Sequence, residues 1–374
     1  MPSKDVYNLY EALKQKGNED NEEDLLVIAE EFKRGHFPNV LSKSRDFRKK
    51  QIGSNDFVKI LFMVEAVSYA QIGEHEASKD IITDMYKNVS DQTSDELNLL
   101  GSLAFMSDFK LARRIISQAI KQMEAEGETN TLKVARGYMV LGETEENLEK
   151  YVRAIKYYKQ SLSIFKTKST DTYMILFLHF KIGMLYSALN NVEESIHYLH
   201  KTIELTGDKN PEMELNSLVS IAKMYGSNNE NESAFPYLEE ALEKLPGSSM
   251  KDTWVHAEAM TEMAFYYFDQ SKLSEAIPYY YDAIKIFKQL PQKSDRKLGM
   301  IHMQYAYCLE HKQDLDLLLA GKSYEQAIVH LEKIEDRQLK ENAFADVITF
   351  FDNTKNTKKK QYYENKFVKM VNNA

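Results

Sequence analysis

The chain has 374 residues, of which 43% are hydrophobic and 28% are charged, a balance typical of a globular protein with ample apolar surface to bury. Its formal net charge of −9 opposes attraction to phosphate backbones and anionic membranes, so we expect no direct nucleic-acid binding and no membrane association. The single cysteine, Cys308, excludes an internal disulfide framework and a cysteine-rich zinc site, and we expect it to fill core space.

The N-terminal stretch MPSKDVYNLYEALKQKGNEDNEED has no apolar run after its basic residue, unlike a secretory signal peptide. No stretch of about 18 apolar residues, the length needed to cross a bilayer, occurs anywhere in the sequence. We therefore expect a cytoplasmic protein.

Glycine and proline are sparse, with 14 and 7 copies, and apolar residues recur at helical spacing through most of the sequence. Breaks fall at short polar segments such as SNNENES and DNTKNTKKK, and strand-like alternation is absent. The pattern predicts an all-α fold.

From the N-terminus, the sequence predicts an extension over residues 1–19 and divergent helix pairs over 20–131. A small residue is expected at one position in each second helix, where two helix backbones approach closely. In this region those residues are Val40, Ser78 and Ala112.

Residues 132–291 carry the clearest repeats, with a period of about 40 residues. The motif A-x-P-Y recurs in ESAFPYLEEALEKLP and SEAIPYYYDAIKIFKQLP. A small residue in the first helix is followed twelve positions later by one in the second, a constant offset that favours antiparallel pairing. The pairs are Gly142 and Ala154, Gly183 and Ser195, Ala222 and Ala234, and Ala264 and Ala276.

Prolines mark two different positions in these repeats. Pro246 and Pro291 follow second helices and are predicted to stop them. Pro236 and Pro278 come two residues after the small residue, and we expect them in the first turns of their helices, where a missing amide costs least.

Residues 292–374 are predicted to form further helix pairs and a capping helix, with Ala327 as the next small residue. The longer interval before Ala327 is assigned to an extra turn in LEHKQDLDLLLAGK.

The segment IAKMYGSNNENESAFPYLEEALEKLP resembles the tetratricopeptide repeat. Its small, tyrosine, alanine, large apolar, alanine and proline positions come in the order that this repeat has. The resemblance covers roughly residues 20–370. It implies a right-handed superhelix of about eight or nine stacked antiparallel helix pairs, with the first helices lining the inner groove.

The chain also looks like the Rap/NprR-type peptide-sensing regulators of Gram-positive bacteria. This resemblance rests on the long repeats, on the segment YEQAIVHLEKI and on the closing segment AFADVITFFDNTKNTKKKQYYENKF. That resemblance implies a short linear peptide held in the groove, with occupancy changing the curvature. Residues 1–80 read as repeats and do not match the catalytic N-terminal bundle of Rap-type phosphatases, and we expect no helix-turn-helix domain before Gly35. Neither set of functional residues is carried over.

Polar residues on the exposed face of the first helices are the candidate peptide-binding positions. An asparagine amide can pair with an extended peptide backbone, and lysine or arginine can meet a terminal carboxylate. The alternative is a solvated face with no ligand. The predicted groove residues are Arg136, Lys181, Asn216, Lys223, Glu258 and Thr261.

Other side chains are assigned to structure. The aromatic clusters AFYYFDQ and PYYYDAI are expected mainly in the core, with Trp254 partly exposed. His197 and His200 have loosely metal-like spacing but no third ligand, so no metal site is predicted. Nucleophile elbows and phosphate-binding glycine loops are absent, so we predict no catalytic residues and no cofactor.

The sequence therefore favours a cytosolic regulatory protein that binds a short signalling peptide or a partner protein segment. Two alternatives stay open: a Rap-like response-regulator aspartate phosphatase, and a scaffold that is insensitive to ligand. The oppositely charged runs GNEDNEED and NTKNTKKK also leave a homodimer possible.

Overall fold

The computed structural model describes residues 10–12, 22–50, 55–88, 92–207 and 210–372, and the predicted extension over 1–19 lies outside them except for 10–12. Within these ranges the regular structure is entirely helical, and eighteen α-helices follow one another as nine pairs in chain order. The all-α prediction is confirmed.

The chain divides into two compact units, Met1–Leu185 and Tyr186–Ala374. The helices that lie wholly or mostly in the first unit are α1 (Glu22–Lys33), α2 (Phe37–Lys50), α3 (Asn55–Gln71), α4 (His75–Asn88), α5 (Ser94–Ala104), α6 (Phe109–Ala125), α7 (Leu132–Asn147), α8 (Tyr151–Lys168) and α9 (Thr172–Ala188). Those of the second unit are α10 (Val192–Thr206), α11 (Pro211–Ser227), α12 (Asn231–Lys244), α13 (Trp254–Asp269), α14 (Leu273–Gln289), α15 (Asp295–His311), α16 (Leu317–Leu331), α17 (Arg337–Asn353) and α18 (Thr357–Asn372). The predicted boundaries between divergent and clear repeats, at 131/132 and 291/292, stay predictions.

The predicted small positions share one place in the structure: each is the fourth residue of a second helix and is buried. This holds for Val40, Ser78, Ala112, Ala154, Ser195, Ala234 and Ala276. Because all seven residues occupy the same position in their helices, the register of the predicted repeats is correct in these seven pairs.

Close approach between paired helices explains why these positions are small. A Cβ placed on Gly142 of α7 would lie 2.5 Å from Cδ1 of Tyr158, the fully buried ring on α8. A Cβ on Gly101 of α5 would collide with Ile116 of α6 in the same way. The large residue one turn after the small one therefore fills the space that the glycine leaves.

Seven of the turns within pairs have a residue in the left-handed region. They have three residues each, and the middle one has φ between 54° and 86°. That conformation ends the first helix and reverses the chain. The middle residues are Gly35, Gly73, Glu149, Asn190, Asn229, Ser271 and Lys355.

Ala327, predicted as the small residue at the start of a second helix, is instead the eleventh residue of α16, and this prediction is wrong. The fourth residue of α16 is Ala320, which is completely buried. Ala320, Tyr324 and Ala327 repeat the small–large–small spacing of Ala276, Tyr280 and Ala283 in the preceding second helix, α14, so Ala327 is the second small residue of the set. The connection before α16, residues 312–316, is two residues longer than the three-residue turns, and the rest of the long interval comes from the later position of Ala327 in its helix.

Pro236 and Pro278, expected in first turns, are the sixth residues of α12 and α14, so this prediction is also wrong. A sixth residue would normally donate its amide to the carbonyl four positions earlier, and each proline removes that bond. Both prolines are exposed, as are Glu232 and Ser274, whose carbonyls lose the partner. Water can therefore replace the missing donor.

Pro246 follows the last residue of α12 within a short 3₁₀ turn, Leu245–Gly247, and Pro291 follows the end of α14. Both stop signals are confirmed. Cys308 is completely buried, as predicted, and burial raises the pKa of its thiol to about 12.

Replacing Gly142 by alanine tests the close approach. Gly142→Ala is expected to destabilise the protein by about 1–3 kcal/mol, because the new methyl group overlaps the ring of Tyr158 and the core has no free space. The free energy of unfolding is measured by urea denaturation.

Gly226→Ala is the matched control, since Gly226 is also helical and its added Cβ would meet nothing nearer than Oδ1 of Asn231 at 3.7 Å. Alanine there is expected to be neutral or stabilising, because it favours helix. Equal effects of the two substitutions would contradict the packing account.

Candidate functional site

Four of the six predicted groove residues lie on first helices of the second unit. Helices α11 and α13, the first helices of two successive pairs, contact each other directly. Each of them also packs against the second helix of its own pair. Asn216 and Lys223 lie on α11, seven residues apart and therefore on one face of that helix. Glu258 and Thr261 lie on α13.

A chain of charges runs across three successive first helices. The Nζ atom of Lys223 on α11 lies 3.2 Å from Oε2 of Glu258 on α13. Oε1 of the same carboxylate contacts the Nζ atom of Lys297 on α15. One carboxylate thus serves two ammonium groups, and we refer to Lys223, Glu258 and Lys297 as the charge ladder.

The surroundings of the charge ladder disfavour additional charge. Burial and the neighbouring Lys223 ammonium lower the pKa of Lys297. Burial raises the pKa of Glu262, and Lys223 partly opposes that shift. Glu258 supplies the counter-charge between the two lysine side chains.

A cleft of about 470 Å³ lies beside the ladder, between α13 and α15; we call it the first-helix cleft. Its apolar lining includes Trp254, Phe265 and Met300, which are 37%, 36% and 41% exposed. A contiguous group of exposed apolar side chains is typical of a surface that binds a ligand or a partner. The volume is in the range of ligand-binding clefts.

Polar groups surround this apolar lining. The Lys297 ammonium lies 5.4 Å from the ring centre of Trp254, which favours a cation–π contact. Ser294 and Gln304 also line the cleft, and Nη1 of Arg296 lies 2.8 Å from Oδ2 of Asp336. The first-helix cleft therefore has an apolar surface next to hydrogen-bonding and cationic groups.

Two predicted residues each donate one hydrogen bond to their own helices. Nδ2 of Asn216 donates to the carbonyl of Glu212 at 2.8 Å, and Oγ1 of Thr261 donates to the carbonyl of Ala257 at 2.7 Å. Thr261 is buried but lines the first-helix cleft. In this arrangement both side chains can accept a hydrogen bond from a ligand, and Asn216 keeps its second amide hydrogen as a donor.

The other two predicted residues belong to the first unit. Nζ of Lys181 on α9 lies 2.7 Å from Oε1 of Glu146 on α7, and Oε2 of Glu146 accepts from the Tyr158 hydroxyl at 2.7 Å. Arg136 is exposed on α7 and makes no ion pair within the described part of the chain. The structure thus joins Lys223 to Glu258 and places Thr261 in the adjoining cleft, while Lys181 pairs with a residue that was not predicted.

Sequence reasoning missed Lys297, Glu146 and the apolar lining at Phe265 and Met300. A usable signal was present, because the paired charges are separated by about one repeat. Lys181 follows Glu146 by 35 residues, and Lys297 follows Glu258 by 39. Opposite charges one period apart on first helices mark contacts between neighbouring repeats.

His200, which has metal-like spacing to His197, has a structural partner instead. Its Nε2 atom lies 3.0 Å from the hydroxyl of Tyr237 on α12. No group of three or more metal-ligating side chains is found among the residues that the structure describes.

Family comparisons identify the repeats. Sequence models described as tetratricopeptide repeat match residues 135–167, 178–209 and 256–290. No curated protein matches the sequence significantly. None of the helices in the described ranges has both the length and the apolar character that a membrane span requires.

Solved structures agree on the fold. The apo form of RapI has a TM-score of 0.61 at 13% identity, over 98% of this chain and 96% of that one. The apo form of the quorum sensor NprR from B. thuringiensis has a TM-score of 0.54 at 13% identity, over 94% and 99%. Aspartyl phosphate phosphatase F from Bacillus subtilis has a TM-score of 0.54 at 13% identity, over 98% and 92%. The expected likeness to Rap/NprR-type tetratricopeptide proteins is confirmed for the fold.

Removing the shared carboxylate tests the charge ladder. Glu258→Gln is expected to destabilise the protein by about 1–2 kcal/mol at low salt, because two ammonium groups then face each other without a counter-charge. The loss should shrink in 1 M NaCl, where repulsion is screened. Urea denaturation at both salt concentrations measures it.

Glu239→Gln is the control, since Glu239 is an exposed carboxylate of α12 that forms no ion pair within the described residues. It should change stability by less than about 0.5 kcal/mol at either salt concentration. A loss at Glu258 no larger than at Glu239 would contradict the shared role of that carboxylate.

Proposed function

We propose, from the tetratricopeptide repeats that this chain contains, that it is a cytosolic regulatory protein that senses a short peptide or a protein segment. The segment binds across the first helices of the second unit, at the first-helix cleft and the charge ladder. The observation that carries the proposal is the exposed apolar lining of Trp254, Phe265 and Met300 directly beside Lys297. Such a surface gains free energy when an apolar side chain covers it.

The polar groups suggest how a peptide would be oriented. An extended segment presents amides at regular intervals, and the free oxygens of Asn216 and Thr261 accept from such donors. A peptide carboxylate would be attracted by the lysines of the charge ladder, where it would share or displace Glu258. The apolar side chain in the cleft and the carboxylate at the ladder together would fix the direction of the peptide.

The similarity in fold to the quorum sensor NprR supports a signalling role. Binding across α11, α13 and α15 gives a direct route to a change of shape. A ligand that contacts several first helices favours whichever helix spacing suits it, and so shifts the population toward that arrangement. A scaffold that is insensitive to ligand would show no such shift.

The alternative function is that of an enzyme, a response-regulator aspartate phosphatase. A direct assay distinguishes it from a peptide-binding regulator. Loss of aspartyl phosphate from a response regulator at substoichiometric amounts of this protein would indicate an enzyme. Binding without turnover would leave the sensor as the better account.

Trp254 provides a built-in reporter, because it is the only tryptophan in the chain and lines the cleft. Titration of the tightest binder from a library of hexapeptides with free C-termini is expected to shift its emission to shorter wavelength. Asn216→Ala combined with Lys223→Ala is expected to weaken binding by about tenfold or more, because an acceptor and a cation are both lost.

The control combines Asn353→Ala with Lys272→Ala, the same residue types at exposed positions of the second unit away from the cleft. Its affinity, measured by isothermal titration, should stay within about twofold of the parent protein. Unchanged affinity in the Asn216 and Lys223 variant would overturn the named site.

A further inference from the structure

A second cleft, of about 340 Å³, lies against another side of α15, between the second helices α14 and α16; we call it the second-helix cleft. Its apolar lining includes Tyr281 and Leu319, which are 57% and 37% exposed. Tyr305 of α15 and Ile284 of α14 are largely buried beneath them. The residues that form the charge ladder do not line this cleft.

The charge of the second-helix cleft is opposite to that of the chain. Lys285 and Lys288 are one turn apart on α14, and Lys322 stands across from them on α16. No acidic side chain lines the cleft, although the chain carries a net charge of −9. All three lysines are exposed, and none forms an ion pair within the described residues. Three unneutralised cations around an apolar surface match an anion with an apolar body.

A buried polar atom in the lining also lacks a partner. His302 is 4% exposed, and its Nδ1 atom lies 2.9 Å from Oγ of Ser323. In the tautomer that satisfies both contacts of Ser323, its hydroxyl donates to the carbonyl of His302 at 3.3 Å and Nδ1–H donates to Ser323. Nε2 is then a bare acceptor, and it has no hydrogen-bond partner among the residues that the structure describes.

The ring of His302 is neutral at pH 7. Burial, with smaller contributions from Lys288 and His330, lowers the pKa of His302 to about 3. An unsatisfied buried acceptor costs free energy in the unoccupied protein, and a donor from a ligand or from an ordered water recovers it.

We propose that the second-helix cleft binds a small organic anion with an apolar body and a hydroxyl or amine donor. Tyr281, Leu319 and the residues beneath them hold the apolar body. Lys285, Lys288 and Lys322 hold the anionic group, and Nε2 of His302 accepts from the donor. This site is separate from the proposed peptide surface and does not depend on it.

The probe that tests this site is 3-hydroxy-2-naphthoate, with its neutral amide as the charge control, in isothermal titration at 50 mM NaCl. The naphthoate is expected to bind saturably with a dissociation constant below about 1 mM, and the amide at least about tenfold more weakly. Lys285→Gln, Lys288→Gln and Lys322→Gln together should weaken naphthoate binding by at least about tenfold.

The matched control combines Lys251→Gln, Lys272→Gln and Lys358→Gln, three exposed lysines of the same unit that form no ion pair within the described residues. The control removes the same net charge, so it should change the affinity by less than about twofold. Circular dichroism confirms that both variants are folded.

Three outcomes overturn the proposal. Equal weakening by both lysine variants would show non-specific attraction, and equal binding of the amide would remove the anionic requirement. If the naphthoate does not bind but a leucine-rich acidic peptide does, with the same dependence on Lys285, Lys288 and Lys322, the cleft is a docking surface for protein instead.

Discussion

The structure depends on close approach between paired helices at one small residue per helix. Gly142 of α7 has no side chain, and the ring of Tyr158 from α8 occupies the space that a side chain would need. The interlocking fixes how far each second helix lies from its first helix and how it is rotated. Because a buried residue recurs at the fourth position of eight of the nine second helices in the described ranges, from Val40 to Ala320, these pairs are nearly equivalent modules. Repetition of one contact is what allows local sequence to specify a long array.

Regular spacing of the pairs then places long polar side chains within reach of the next repeat. Glu258 contacts Lys223 from the preceding first helix and Lys297 from the following one, and Lys181 reaches Glu146 in the first unit in the same manner. These contacts are partly buried, so each one makes the spacing between neighbouring first helices dependent on charge. A ligand carboxylate that competes for the same ammonium groups therefore acts directly on that spacing.

Sequence reasoning recovered the features that repeat and missed those that depend on irregular connections. The fourth-residue register is correct through Ala276 because short turns keep the offset constant. It fails at Ala327 because the connection before α16 is longer and because Ala320 offers the same small-residue signal seven positions earlier. Pro236 lies beyond the first turn because α12 begins at Asn231, and the sequence does not show where the preceding turn ends. Lateral partners such as Lys297 were missed because they come from the next repeat.

Helix α15 contributes to both clefts, and this has a thermodynamic consequence. Lys297 and Met300 line the first-helix cleft, while His302 and Tyr305, a few residues further along the same helix, line the second-helix cleft. A ligand in either cleft contacts a helix that forms a wall of the other. If occupancy of one cleft displaces α15, it changes affinity at the other, and linkage requires the effect to be equal in both directions. The small residues that hold α15 against its partner, such as Gly299 beneath Leu331, set how far the helix can move before the core contacts break. The packing that specifies the fold thus limits any coupling between the two surfaces.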